Sequence, residues 1–277
     1  MTIVISGASG QLGRRTAQFL SDLDDVVLVT RTPDAVADLG AEVRHGDFDQ
    51  PDTLPAAFAG GDVLLLVSLP TIGARVEQHK AAIAAAAEAG IRRIAYTSIV
   101  NPGPENPAVV AAEHRATEEA ILASGLEYTF LRNNIYADLQ HASAQAAIDS
   151  GRLVTNAGDG RTGYVTREDC AAVAAAVLRG DGHANQIYDV TGPETLDAND
   201  LAALYSELGG KPIEVVHVDD AAYAAGLVEH AGMPQAVAEA YATFGAATRA
   251  GVLDVCTDVV ERLTGRKPTS LRTLLGL

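Results

Sequence analysis

Seven residues near the start, Gly7-Ala8-Ser9-Gly10-Gln11-Leu12-Gly13, constrain the fold more than any other stretch of the chain. The apolar run Ile3-Val4-Ile5 precedes them. After them, Leu12, Thr16, Phe19 and Leu20 fall on one helical face. Strand, glycine turn and helix, in that order, is the context in which a glycine motif predicts a dinucleotide site. Gly7 permits the tight turn, Gly10 lets backbone approach a pyrophosphate, and Gly13 lets the helix pack closely on the sheet. The helix start offers unpaired N–H groups to phosphate, which places Ser9, Gln11 and Leu12 in the same binding turn.

The rest of the first half continues that rhythm. Strand-like runs at residues 26–29, 42–45, 63–67, 94–97 and 128–131 alternate with helical stretches at 33–39, 51–58, 72–89 and 108–123. In the 72–89 stretch, Ile72, Val76, Ile83 and Ala87 share one face. Short apolar strands bounded by glycine or acidic residues suit a parallel sheet buried on both sides. Alternating units of this kind predict an α/β chain with a doubly wound parallel sheet, a Rossmann fold. Its ligand crevice lies at the C-terminal strand ends beside the first strand. After about residue 150 the pattern changes. Thr166-Arg167-Glu168-Asp169 reads as a helix-start box for an alanine-rich helix ending at Arg179. Strands at 187–190 and 213–218 follow, with a helix after Thr195–Asp197 between them, and the remainder reads as helical. The expected division is a dinucleotide-binding domain over 1–150 and a smaller substrate lobe over 151–277, with the segment around 165–190 returning to the first domain.

A net charge of −16 repels polyanions and makes nucleic acid an unsuitable partner. Any phosphate group must then be held by locally placed donors. No apolar run reaches membrane-spanning length, and no removable signal peptide is visible. Cys170 and Cys256 are the only cysteines and read as reduced, partly buried thiols of a cytoplasmic protein. No His, Cys and carboxylate group has metal-ligand spacing, so no metal is expected.

The end of the second strand decides the cofactor. A carboxylate about 20 residues beyond the glycine motif would hold ribose hydroxyls, but the chain has Val29-Thr30-Arg31-Thr32 there. A guanidinium at Arg31 suits a 2′-phosphate, which points to NADPH. Arg14 and Arg15 oppose the dipole of the first helix, a cost easier to understand if one of them serves that phosphate. For all three arginines a solvated surface role is the alternative. Asp47-Phe48, after the third strand, can flank an adenine ring, or Asp47 is an exposed turn residue. Ser68-Leu69-Pro70 after the fourth strand and Thr97 near the end of the fifth are placed to line the nicotinamide side, with a non-specific loop as the alternative for 68–70.

These segments, with Ile94-Ala95-Tyr96-Thr97-Ser98, the run from Tyr128 to Tyr136, Thr155-Asn156-Ala157-Gly158, Val165-Thr166-Arg167 and Leu263-Thr264-Gly265, carry a family resemblance. The chain resembles the NmrA-like branch of the atypical short-chain dehydrogenases, and within it the quinone oxidoreductase type 2 and triphenylmethane reductase group. The GxxGxxG spacing is the form seen in extended and atypical short-chain reductases. The resemblance implies NADPH-dependent reduction of quinones or other conjugated planar acceptors. It also implies that the glycine turn, Arg31, Asp47, Phe48, the 68–70 loop and the loop from Asn133 to Tyr136 contact the cofactor or border a small-molecule substrate. Homodimers are common in the group.

The chain departs from ordinary short-chain dehydrogenases in its acid–base residues. Ser98 stands where their serine belongs, but the following helix offers His114 and Glu118 in place of Tyr and Lys. His114 and Glu118, at i and i+4, share a helix face and are expected to be able to hydrogen-bond. His114 is either a proton donor or a structural residue; His79 reads as structural. Missing acid–base machinery suits a quinone, which becomes a weakly basic aromatic phenolate on accepting hydride. Asn133 and Asn134 could fix the acceptor oxygen or could cap the turn. Tyr136 and Ile135 could form an apolar wall, with Tyr96 and Tyr164 as further candidates. Two other functions share these features: a non-catalytic NADP(H) sensor, and a ketone or enone reductase with His114 as its acid.

Overall fold

Short, unbroken apolar strands build the core. In the computed structural model, which describes residues 1–277, β1 (Ile3–Ser6), β2 (Val26–Thr30), β4 (Val63–Leu66) and β5 (Arg93–Ile99) are buried along their whole lengths. Successive residues point to opposite faces of a strand. Ile3, Ile5, Leu28 and Leu65 therefore enter one core cluster, while Val4, Val27, Val29, Leu64 and Leu66 enter another. The first cluster lies under α1 (Gln11–Phe19) and α6 (Arg167–Arg179). The second lies under α2 (Leu54–Phe58), α3 (Arg75–Glu88) and α4 (Val109–Ser124).

With β3 (Glu42–His45), β6 (Glu127–Asn133) and β8 (Gln186–Val190), these strands form one seven-stranded sheet in the order β3-β2-β1-β4-β5-β6-β8. Every neighbouring pair is parallel. The order reverses at β1, between β2 and β4, which is where open α/β sheets bind ligands. The 165–190 segment supplies α6 and β8, and both join this sheet's core.

Outside the sheet, α5 (Gln140–Ser150) and α7 (Ala198–Gly209) flank a two-stranded parallel sheet of β7 (Arg152–Thr155) and β9 (Glu214–His217). The helices α8 (Asp220–Ala231) and α9 (Gln235–Arg249) form a hairpin. Two short helices, α10 (Val259–Thr264) and α11 (Leu271–Leu274), close the chain. Caps fix several helix starts as their sequences imply. Thr166 accepts the Asp169 N–H, and Asp197 and Asp200 form a reciprocal capping box on α7.

Several expectations need correction. Residues 33–39 form a 3-10 helix, and 51–58 divide into a 3-10 turn and α2. The helix expected at 72–89 starts at Arg75. Ile72 and Ala87 are exposed, and the buried face carries Arg75, His79, Ala82, Ile83, Ala85 and Ala86. The apolar count missed this face because two of its members are polar and find buried partners. Cys170 is fully buried, but Cys256 is exposed; both are free thiols. Residues 140–155, left unassigned by periodicity, hold α5 and β7. No helix is long and apolar enough to cross a membrane.

Candidate active site

The glycine turn has the geometry its spacing implies. Gly7 has φ +62°, a conformation that side chains disfavour. The Gly10 N–H donates to the Gly7 carbonyl at 2.9 Å. A Cβ on Gly13 would stand 2.5 Å from that same carbonyl oxygen, so only glycine lets α1 approach β1 this closely. No side chain caps α1, its first turn holds no acidic residue, and the N–H groups of Gln11, Leu12 and Gly13 have no acceptor in the chain. Three free donors at the positive end of a helix dipole form an anion site.

Beside this turn, Thr30 Oγ1 donates to Ser9 Oγ at 2.8 Å and accepts the Thr32 N–H at 3.2 Å. The hydroxyl cluster sits at the end of β2 next to Arg31. Sequence reasoning missed this cluster because its key contact joins the end of β2 to the glycine turn, 21 residues earlier in the chain. Arg31 is exposed, and its Nη1 lies 3.6 Å from Asp49 Oδ2. Neither neighbouring arginine is free. Arg14 binds the Ala35 carbonyl and Asp38, and Arg15 is paired with Glu168. Asp47 anchors its own turn, accepting from the Asp49 N–H at 3.0 Å and from Gln50 at 3.3 Å. The Phe48 ring is packed into the second core cluster, leaving little of its face outside.

The 68–70 loop is held from below by buried side chains. Thr97 Oγ1 accepts the Ser68 N–H at 2.8 Å, and His79 Nε2 accepts the Leu69 N–H at 3.1 Å. Arg75 donates to the Leu69 carbonyl at 3.1 Å and pairs with Glu113 at 2.6 Å. Pro70 is exposed. An Nε2 that accepts leaves the proton on Nδ1, which lies 3.0 Å from Thr117 Oγ1. His79 is therefore neutral.

The acid–base positions are turned inward. Ser98 Oγ donates to Glu118 Oε1 at 2.6 Å, and Glu118 also accepts from Arg132 Nε at 3.0 Å and Nη2 at 2.7 Å. His114 shares a 2.8 Å hydrogen bond with the Tyr96 hydroxyl. The expected His114–Glu118 hydrogen bond does not form: the imidazole faces the middle of β5, while the carboxylate reaches the ends of β5 and β6. Burial and the Arg75 cation push the His114 imidazole well below its usual value, and the same causes bring His79 down to about 3. Burial holds the Tyr96 and Tyr136 phenols protonated far above the ordinary tyrosine range.

These two histidines give a testable pH dependence. Unfolded, each takes up a proton near pH 6.5; folded, each stays neutral to much lower pH. The unfolded chain thus binds more protons below about pH 6.5, for His79 down to about pH 3, and folding stability falls as pH drops through that range. Each contributes up to about 1.4 kcal/mol per pH unit. Urea midpoints are expected to fall between pH 7 and pH 5, above the range where carboxylates titrate. A flat midpoint over that interval would contradict the neutral assignment.

The two asparagines after β6 differ. Asn134 spends both ends of its amide on backbone: Nδ2 donates to the Leu253 carbonyl at 3.0 Å and Oδ1 accepts the Ile135 N–H at 2.8 Å. Asn133 makes one long 3.5 Å contact with the Tyr136 hydroxyl, and its buried Oδ1 has no partner. Tyr136 packs against the same core cluster as Ala8 and Leu12, with the Arg167 guanidinium 4.6 Å above its ring. Tyr164 packs instead against the separate cluster around Leu153, Leu201 and Tyr205. No three His, Cys, Asp or Glu side chains are grouped to hold a metal.

A parallel sheet that reverses at β1, with a glycine turn and an open helix start at the reversal, defines a dinucleotide-binding fold. The sequence pattern described as NAD(P)H-binding matches residues 7–181. The chain belongs to this NAD(P)H-binding family. It is 34% identical over 275 residues to quinone oxidoreductase 2 of Escherichia coli, covering 97% of this chain and 96% of that one. It is 29% identical over 272 residues to the NAD(P)H azoreductase of Xenophilus azovorans, covering 95% and 93%. The structure of the Escherichia coli NADPH-dependent quinone oxidoreductase complexed with NADPH matches with a TM-score of 0.94 at 33% identity, covering 99% of each chain. That of Citrobacter sp. triphenylmethane reductase complexed with NADP(H) matches at 0.90 with 34% identity, covering 100% and 99%.

Proposed function

We propose that the protein is an NADPH-dependent reductase that passes a hydride to a quinone or a similar conjugated planar acceptor. The relatives named for quinones, azo compounds and triphenylmethanes all act on extended conjugated systems. The observation that carries the reading is the Ser98–Glu118 hydrogen bond. A serine whose proton is committed to a buried carboxylate cannot donate it to a developing alkoxide. An acceptor that becomes an aromatic phenolate can wait for a solvent proton. The quinone oxidoreductase relative, at 34% identity over 97% of this chain, favours this reading over a sensor or a ketone or enone reductase.

The donor set fits the cofactor. The free N–H groups of Gln11, Leu12 and Gly13 hold the diphosphate, and Gly7 and Gly10 keep that approach clear. Arg31 and the Ser9 hydroxyl, whose oxygen accepts from Thr30 and whose own proton is free, receive the 2′-phosphate, with Asp47 and the edge of Phe48 beside the adenine. Ser68, Leu69, Pro70 and Thr97 line the nicotinamide half, which supplies the hydride when NADPH is bound. Asn133, with an unpartnered buried oxygen, orients the nicotinamide amide or the acceptor, and Tyr136 walls that end. Asn134 belongs to the frame, because its amide is fully used by backbone. Ser98 and His114 shape the floor without moving a proton. The lobe built from residues 151–277, less the returning 165–190 segment, covers the acceptor and excludes water, so that orientation does most of the work.

Steady-state assays with NADPH and a soluble naphthoquinone test this. Ser98→Ala is expected to retain quinone turnover within about tenfold, below the usual 10²–10⁴-fold contribution of general acid–base catalysis. NADPH binding without oxidation by any quinone or azo acceptor would support the sensor instead.

A further inference from the structure

The 2′-phosphate site proposed above contains one group that opposes it. Asp49 is the ionic partner of Arg31, at 3.6 Å. Its carboxylate does not swing freely. Gln78 Nε2 on α3 donates to Asp49 Oδ1 at 2.5 Å, and Thr71 Oγ1 donates to Gln78 Oε1 at 3.0 Å. The Asp49 backbone N–H is also tied to Asp47 Oδ1. Arg31, Asp49, Gln78 and Thr71 thus form a chain of contacts linking the loops that follow β2, β3 and β4. Because Arg14 and Arg15 are paired elsewhere, Arg31 is the cation beside the hydroxyl cluster, and Asp49 cancels its charge.

We propose that Asp49 is a specificity-determining residue: held by Gln78 against Arg31, it limits the preference for the phosphorylated dinucleotide. The inference rests on reading Arg31 as the phosphate partner. A phosphate seated on that guanidinium lies within a few ångströms of the carboxylate and must displace or tolerate it. The dianionic 2′-phosphate of NADPH meets this repulsion, whereas the ribose hydroxyl of NADH does not. Both side chains are exposed, so water and salt weaken the effect without erasing it at short range.

The test is equilibrium binding to the full-length, cofactor-free protein, followed by calorimetry at low and high ionic strength. Asp49→Asn keeps the shape and the Gln78 contact while removing the charge. It is expected to tighten NADPH binding about three- to fivefold at low salt, to leave NADH binding unchanged, and to lose most of that gain in 0.5 M salt (roughly a 4 Å Debye length). Arg31→Ala, measured in parallel, separates the two ideas. If Arg31→Ala weakens NADPH selectively while Asp49→Asn changes neither cofactor, the role of Asp49 is overturned and that of Arg31 stands. If Arg31→Ala affects both cofactors equally, the phosphate reading itself fails and the inference goes with it.

Discussion

Replacing Glu118 with alanine is expected to lower folding stability by about 3 kcal/mol, the lower end of the cost of breaking a buried ion pair. The carboxylate is almost fully buried and accepts three hydrogen bonds, one from Ser98 and two from Arg132. Its loss leaves a guanidinium on β6 with only partial access to water. The nearby Asp189 carboxylate on the next strand, which already feels the Arg132 charge, offsets part of that loss. This places the value below the 5 kcal/mol extreme. Glu118→Gln keeps an oxygen for Ser98 and is expected to cost less. Urea denaturation at pH 7.5, with an unchanged m value, measures both. A loss under about 1 kcal/mol for the alanine variant would mean that the pair contributes no more than an exposed one.

Arg31→Ala carries the second large effect. NADPH binding is expected to weaken by about 1–3 kcal/mol, the range for losing a charge-assisted contact, with NADH little changed. The free N–H groups of α1 and the Ser9 hydroxyl remain, so binding is reduced and not abolished. The fold is expected to be unaffected, because Arg31 is exposed and its only ion pair is with the equally exposed Asp49.

The glycine turn was legible because its determinants are local. Gly7, Gly10 and Gly13 lie within seven residues, and their spacing alone requires a turn, a close approach and an open helix end. The buried strands were legible for a similar reason: an unbroken apolar run predicts burial on both faces. Positions that depend on partners distant in sequence were not. Ser98, Glu118 and Arg132 meet only because β5, α4 and β6 pack side by side, and helical periodicity alone suggested a His114–Glu118 pair that does not form. The difference between Asn133 and Asn134 rests on the Leu253 carbonyl, 119 residues beyond Asn134. The buried face of α3 was misread because Arg75 and His79 are polar, and only the fold shows that the loop after β4 needs them there.

The most direct measurement is isothermal titration of the cofactor-free protein with NADPH and, separately, NADH. One saturable NADPH site per chain is expected, with a clear preference over NADH that Arg31→Ala removes. Absence of saturation for both nucleotides would contradict the site at its root.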